Sequence, residues 1–143
     1  MSAEQTAVES SQRKLVEFIF PRGIPGLELY RRFLIEPVPD NRLFAMLIAA
    51  EEPSVGMILV DPLPFFPRYQ VVLQRNDRRD LMLKKDEDLV IFTTVTLEGE
   101  NLFTNLAAPI LVNVAQRRGK QMIVPHRCDD MRVPLDTVAG PEN

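Results

Sequence analysis

The ten residues LVIFTTVTLE, Leu89–Glu98, decide the fold. Leu89, Ile91, Thr93, Val95 and Leu97 lie on one face, and Val90, Phe92, Thr94, Thr96 and Glu98 on the other. β-Branched and aromatic side chains lose rotamer freedom against a helical turn but suit a pleated, half-buried surface, so the stretch reads as a strand. Working outward, residues 106–114 and 121–124 give two more strands. Gln116, Arg117, Arg118 and Gly119 lie between them as a hairpin loop, with Gly119 able to take a positive φ. On the N-terminal side residues 15–20, 32–36, 43–50, 55–60 and 69–73 are further candidates. Strands separated by Pro, Gly, Asp and Asn at such regular spacing argue for an all-β, mostly antiparallel barrel or sandwich.

Most of the twelve prolines punctuate these segments, as befits a residue with no N–H to give a ladder. Pro109 falls inside a strand pattern and marks an edge, a bulge or a bend. One short helix is expected over residues 78–83, capped by Asn76 or Asp77 and held by packing. The acidic run Asp86, Glu87 and Asp88 then leads into the next strand.

The chain has 143 residues, enough for one domain with its own core, and its 45% hydrophobic and 26% charged residues exclude a wholly disordered or collagen-like protein. Residues 1–12 and 136–143 read as disordered or flexible tails around a single domain over residues 13–135. One Cys and one His exclude an intrachain disulfide framework and a Cys/His zinc finger, and leave little for a nucleophilic triad. His126, Cys128, Asp129 and Asp130 cluster in sequence but read as structural or solvated groups. No metal, cofactor or catalytic set is expected, and the chain reads as a binder rather than an enzyme. Net charge is −3, with signs mixed along the chain, so direct nucleic-acid binding is disfavoured. The longest apolar run, LFAMLIAA at residues 43–50, is too short for a membrane-spanning helix, which needs about 20 residues. The polar N-terminal segment lacks the apolar core of a secretory signal, which places the chain in the cytoplasm with no membrane partner.

Several loops stand out. Residues 20–26, FPRGIPG, form a rigid shaped loop with no phosphate-binding character. The basic run Arg117, Arg118, Gly119 and Lys120 reads as a solvated hairpin tip. Residues 61–67, DPLPFFP, set Phe65 beside Phe66 between prolines. Strand-like alternation would leave one ring exposed as a contact anchor on a stiff loop, and the alternative is that both rings plug the barrel end.

Five stretches in register carry a family resemblance: FPRGIPGLELY (20–30), EEPSVGMILVDPLPFFPRY (51–69), TNLAAPILVN (104–113), RRGKQMIV (117–124) and RVPL (132–135). Together they resemble the FliW family of flagellar assembly factors. The chain departs from the family pattern in a degenerate first strand over residues 15–20, where Phe-Gly-x-Ile is usual, and at three positions: Arg68 where an Asp is usual, Phe103 where Thr is common, and Val133 in place of His. The resemblance implies a small, non-enzymatic antiparallel β-barrel of the bacterial cytoplasm that binds flagellin. It also implies binding to the RNA-binding translational regulator CsrA and antagonism of its repression of flagellin translation. On that view Phe65, Phe66 and Tyr69 are candidates for the groove that holds flagellin's amphipathic segments. Glu51, Glu52, Asp86, Glu87 and Asp88 are candidates to face the basic regulator. Asp61, Asn105 and Asn113 are expected to hydrogen-bond turns and strand ends instead. The competing class is an oligonucleotide-binding barrel, which the acidic balance and the absence of Trp disfavour.

Overall fold

The structure is a computed structural model and describes residues 17–135. The two expected tails and residues 13–16 lie outside that range. Eight strands form: β1 Glu17–Ile19, β2 Arg32–Val38, β3 Asn41–Ala49, β4 Gly56–Val60, β5 Leu89–Glu98, β6 Asn101–Asn113, β7 Arg118–Gln121 and β8 Val133–Leu135. Seven of them close a barrel in the order β5-β4-β3-β2-β1-β7-β6, with β6 returning to β5. All neighbours are antiparallel except β1 and β7, which meet in parallel at Ile19 and Arg118. The expected all-β barrel with one short helix is therefore the architecture found.

Alternation along the strands turns Phe33, Ala45, Leu47, Ala49, Leu59, Ile110 and Val112 inward, around Phe18, Phe20 and Ile24. Phe20 and Phe33 meet edge to face, with ring centroids 5.2 Å apart. β5 occupies the residues read from the sequence. β6 is longer than expected, because its N-terminal half pairs with β8 and its C-terminal half with β7 along the same edge. Between the halves, the register against β5 jumps from Phe92–Ile110 to Thr94–Asn105. Pro109 sits in that bulge, where a missing N–H breaks no ladder with β5. The Thr104 hydroxyl lies 2.7 Å from both Thr93 Oγ1 and the Thr94 carbonyl, tying the buried start of the bulge.

The hairpin before β7 turns at residues 114–117, two residues earlier than expected, and Arg117 takes the positive φ of 56°. Gly119 is in the strand instead. A Cβ there would sit 2.2 Å from the Phe20 ring, so glycine is needed for close approach rather than for a turn. Residues 122–124 continue beside β6 through Met122 N–H to Pro109 O and Val124 N–H to Ala107 O.

Residues 69–73, expected to be a strand, pair with nothing. Their period-two pattern reflects one-sided burial: Val71 and Leu73 lie over Leu111 and Met122 on the outside of β6 and β7. They lead into α1, Arg75–Leu81, the one α-helix among the described residues. It starts earlier than expected, with Gln74 as N-cap. Asp77 is at the third helical position, where its carboxylate accepts the Gln74 N–H at 2.8 Å. Met82 closes the helix with φ 54°, and the buried Asn113 side chain donates to the Leu81 and Met82 carbonyls.

Lys120 is not part of a solvated tip. Its Nζ lies 2.6 Å from Asp77 and 2.8 Å from Asp80, all three side chains being about nine-tenths buried, and Arg22 reaches Asp80 from the far side. Lys120 and Arg22 hold Asp80 below the usual carboxylate range, and the two carboxylates raise Lys120 against the opposing effect of burial.

Gly119→Ala is expected to destabilise the barrel by about 2 kcal/mol, read from its urea midpoint, with Phe20→Leu in the same chain restoring part of the loss. Lys120→Met, which strands two buried carboxylates, is expected to cost about 3 kcal/mol. The Asp80 contribution is present above the unfolded carboxylate pKa, about 4, and is lost as pH falls from there through the lower folded value. The Lys120 contribution is present below about pH 10.4 and is lost as pH rises further. Both losses should shrink in Lys120→Met when urea midpoints are measured across pH.

Candidate protein-docking surface

The barrel wall is apolar on both sides along part of its circumference. In β3 and β4 the outward residues Phe44, Met46, Ile58 and Val60 are as hydrophobic as the inward ones. A strand with only one buried face would alternate apolar and polar residues, so this outer face must be covered or used. Coverage is partial. The loop of residues 61–69 lays Phe65 and Phe66 on Val60 and Val95, and β8 adds Leu135. Beside them an apolar groove of about 400 Å³ stays open, lined by Val38, Phe44, Met46, Ile58, Val95 and Leu102, with Asn41 at its edge.

The loop that sets the two phenylalanines is stiff for local reasons. Asp61 accepts the Leu63 N–H at 3.1 Å, Pro62 O accepts from Phe65 and Phe66 N–H, and prolines fix three of its backbone angles. Both rings are half-buried, so of the two alternatives the split into one buried and one exposed ring does not occur. Tyr69 anchors the end of the loop. It is 5% exposed, its hydroxyl donates to Leu106 O at 2.8 Å in the β6 bulge, and burial pushes its phenol up to about 12. The Arg127 guanidinium stacks over its ring at 5.0 Å. Phe65, Phe66 and Tyr69 therefore do come together, and with Pro67, Arg68 and Arg127 they form a second concavity of about 400 Å³.

The acidic candidates do not form one patch. Glu51 and Glu52 are exposed on the β3–β4 turn, where Glu51 pairs with Arg32 and Glu52 accepts from Ser54. The β4–β5 register sets that turn level with the C-terminal end of β5, near Glu98. Asp86, Glu87 and Asp88 form a 3₁₀ turn before Leu89, at the other end of β5. Nine residues of extended chain separate the two ends, about 30 Å. Asp86 pairs with Arg78, and Asp88 is half-buried, with its carbonyl accepting the Val114 N–H. Asp61, Asn105 and Asn113 bond turns and strand ends as expected. His126 and Cys128 are exposed, and among the described residues no three His, Cys, Asp or Glu side chains converge.

Two of the departures meet compensating partners. Phe103 lies under the Arg132 guanidinium, 3.8 Å from the ring centre, while Arg132 also pairs with Glu98, and Val133 enters the ladder opposite Thr104. The open groove itself was missed by sequence reasoning. Its signal was the unbroken apolar run LFAMLIAA, which shows no polar face.

A closed barrel with a stiff aromatic loop and a partly uncovered apolar outer face defines a small β-barrel protein. The family profile described as FliW protein matches residues 2–135. A flagellar assembly factor FliW of Clostridium kluyveri is 33% identical over 130 residues, covering 90% of this chain and 88% of that one. The Moorella thermoacetica protein of the same name is 37% identical over 108 residues, covering 73% and 68%. A crystal structure of the flagellar assembly factor FliW superposes with a TM-score of 0.77 at 27% identity, covering 83% of this chain and 84% of that one. The chain belongs to the FliW family of flagellar assembly factors.

Tyr69→Phe strips the β6 bulge of a buried hydrogen bond at Leu106 O. It is expected to lower stability by about 1–2 kcal/mol in chemical denaturation without changing the fold's circular dichroism.

Proposed function

We propose that this chain is a non-enzymatic cytoplasmic binding protein that holds flagellin and, in alternation, the translational regulator CsrA, so that flagellin level sets flagellin translation. The observation that carries this reading is the open apolar groove on the outside of the closed barrel, continuous with Phe65 and Phe66. Flagellin's terminal segments are amphipathic helices, and such a helix buries its apolar face in a groove of this kind. Family membership supports the assignment to flagellar assembly. The regulator is basic. Glu51 and Glu52 at one end of β5, and Asp86, Glu87 and Asp88 at the other, offer it two separate acidic contacts. One protein with two mutually exclusive partners converts the concentration of one into the free amount of the other.

Titration of the purified chain with flagellin, and with CsrA, tests this directly. Each is expected to bind alone and to displace the other. Phe66→Ala is expected to weaken flagellin binding about tenfold, or about 1.4 kcal/mol, while the chain stays folded. A folded chain that binds neither protein overturns the reading, and Phe66→Ala with full flagellin affinity removes Phe66 from the interface.

A further inference from the structure

The concavity formed by Phe65, Phe66, Pro67, Arg68, Tyr69 and Arg127 differs in chemistry from the apolar groove beside it. Its walls are aromatic and its charged groups are two guanidiniums. Arg68 is exposed and makes no ion pair among the described residues. Arg127 stacks on Tyr69 and gives only Nη1 to Asp130, at 2.9 Å. Its Nε is buried with no acceptor, the one such side-chain atom among the described residues. That atom is shielded from solvent and so from a partner, and the Arg127 charge is already paired with Asp130, which leaves Arg68 as the cup's unpaired cation among the described residues.

We infer that this cup recognises a carboxylate carried next to an apolar side chain on the bound partner segment, with Arg68 setting the charge preference. The apolar neighbour packs on Phe65 and Phe66. The carboxylate lies against the exposed Arg68 guanidinium, which can bind an acid through two parallel hydrogen bonds. Complementarity of charge and of shape both point to an acidic, apolar segment. A basic segment would meet the like charge of Arg68 beside the aromatic wall. Arg68 touches nothing that holds the barrel together, so its charge is available for selecting a partner.

The inference rests on the docking of flagellin proposed above, and the test separates the two. Flagellin is titrated into the parent chain, Arg68→Gln and Arg68→Glu by calorimetry, at about 0.05 M and about 0.5 M salt. Melting temperatures of the three chains should agree, because Arg68 is exposed and unpaired. Affinity at low salt should fall roughly threefold in Arg68→Gln and roughly tenfold or more in Arg68→Glu, and the differences should shrink at high salt. A flagellin variant with an acidic residue of the bound segment changed to Lys should regain affinity for Arg68→Glu. Equal flagellin binding by all three chains overturns the carboxylate site and leaves the docking reading standing. No binding by the parent chain overturns both.

Discussion

The barrel closes where β1 meets β7, and one ring filling one gap makes that closure possible. β1 is three residues long and its parallel pairing with β7 has a single register pair, Ile19 with Arg118. So short a ladder holds little by hydrogen bonding. Phe20, which follows directly, is fully buried and occupies the space in front of Gly119 that any side chain would fill. The same ring meets Phe33 across the interior. Two strands distant in sequence are thus joined by packing through the centre of the barrel rather than by their shared edge. Every other strand pair is a local hairpin or an antiparallel ladder that extends from this closure.

The outside of the wall is finished unevenly, and the surface chemistry follows from that. Over β6 and β7 it is roofed by residues 71–73 and α1, which are fastened by the Lys120, Asp77 and Asp80 triad and by Asn113 at the helix end. Over β4 and β5 the roof is the proline-rich loop and β8, fastened by Tyr69 and by the Arg132–Glu98 pair above Phe103. Beside the second cover Phe44, Met46 and Ile58 stay partly exposed, and the apolar groove is what remains. Other large apolar side chains, Leu29, Val72, Ile123 and Met131 among them, are exposed elsewhere, and the groove differs from them in gathering six apolar residues into one concavity.

Strand reading worked best where one residue in two was β-branched or aromatic. β5 was legible to the residue, because Leu89–Glu98 alternates and is bounded by acidic and glycine turns. Residues 69–73 carry the same alternation and are no strand, since period two reports burial on one side and is silent about hydrogen-bond partners. The helix is legible in the sequence but its start is not. Asp77 has the chemistry of a cap, yet it serves as the third residue of a capping box, a distinction set by where the chain leaves its cover over β6. The aromatic loop was legible as a rigid feature, while the burial of both rings depended on what lay beneath them.

The sequence by itself determined the period-two strands, the proline-marked ends, the supply of one cysteine and one histidine, and the family pattern from Phe20 to Leu135. These properties are local, or depend on composition and order along the chain. Only the tertiary structure decided that Gly119 yields its space to Phe20 and that Lys120 is buried between two carboxylates. The same holds for Phe65, Phe66, Arg68 and Arg127 lining one cup, and for the acids of the β3–β4 turn and of the 3₁₀ turn before β5 lying at opposite ends of that strand. Each of these joins residues separated by tens of positions. Their meeting is fixed by how the barrel closes and shifts register at the β6 bulge, and no window of sequence contains both sides of such a contact.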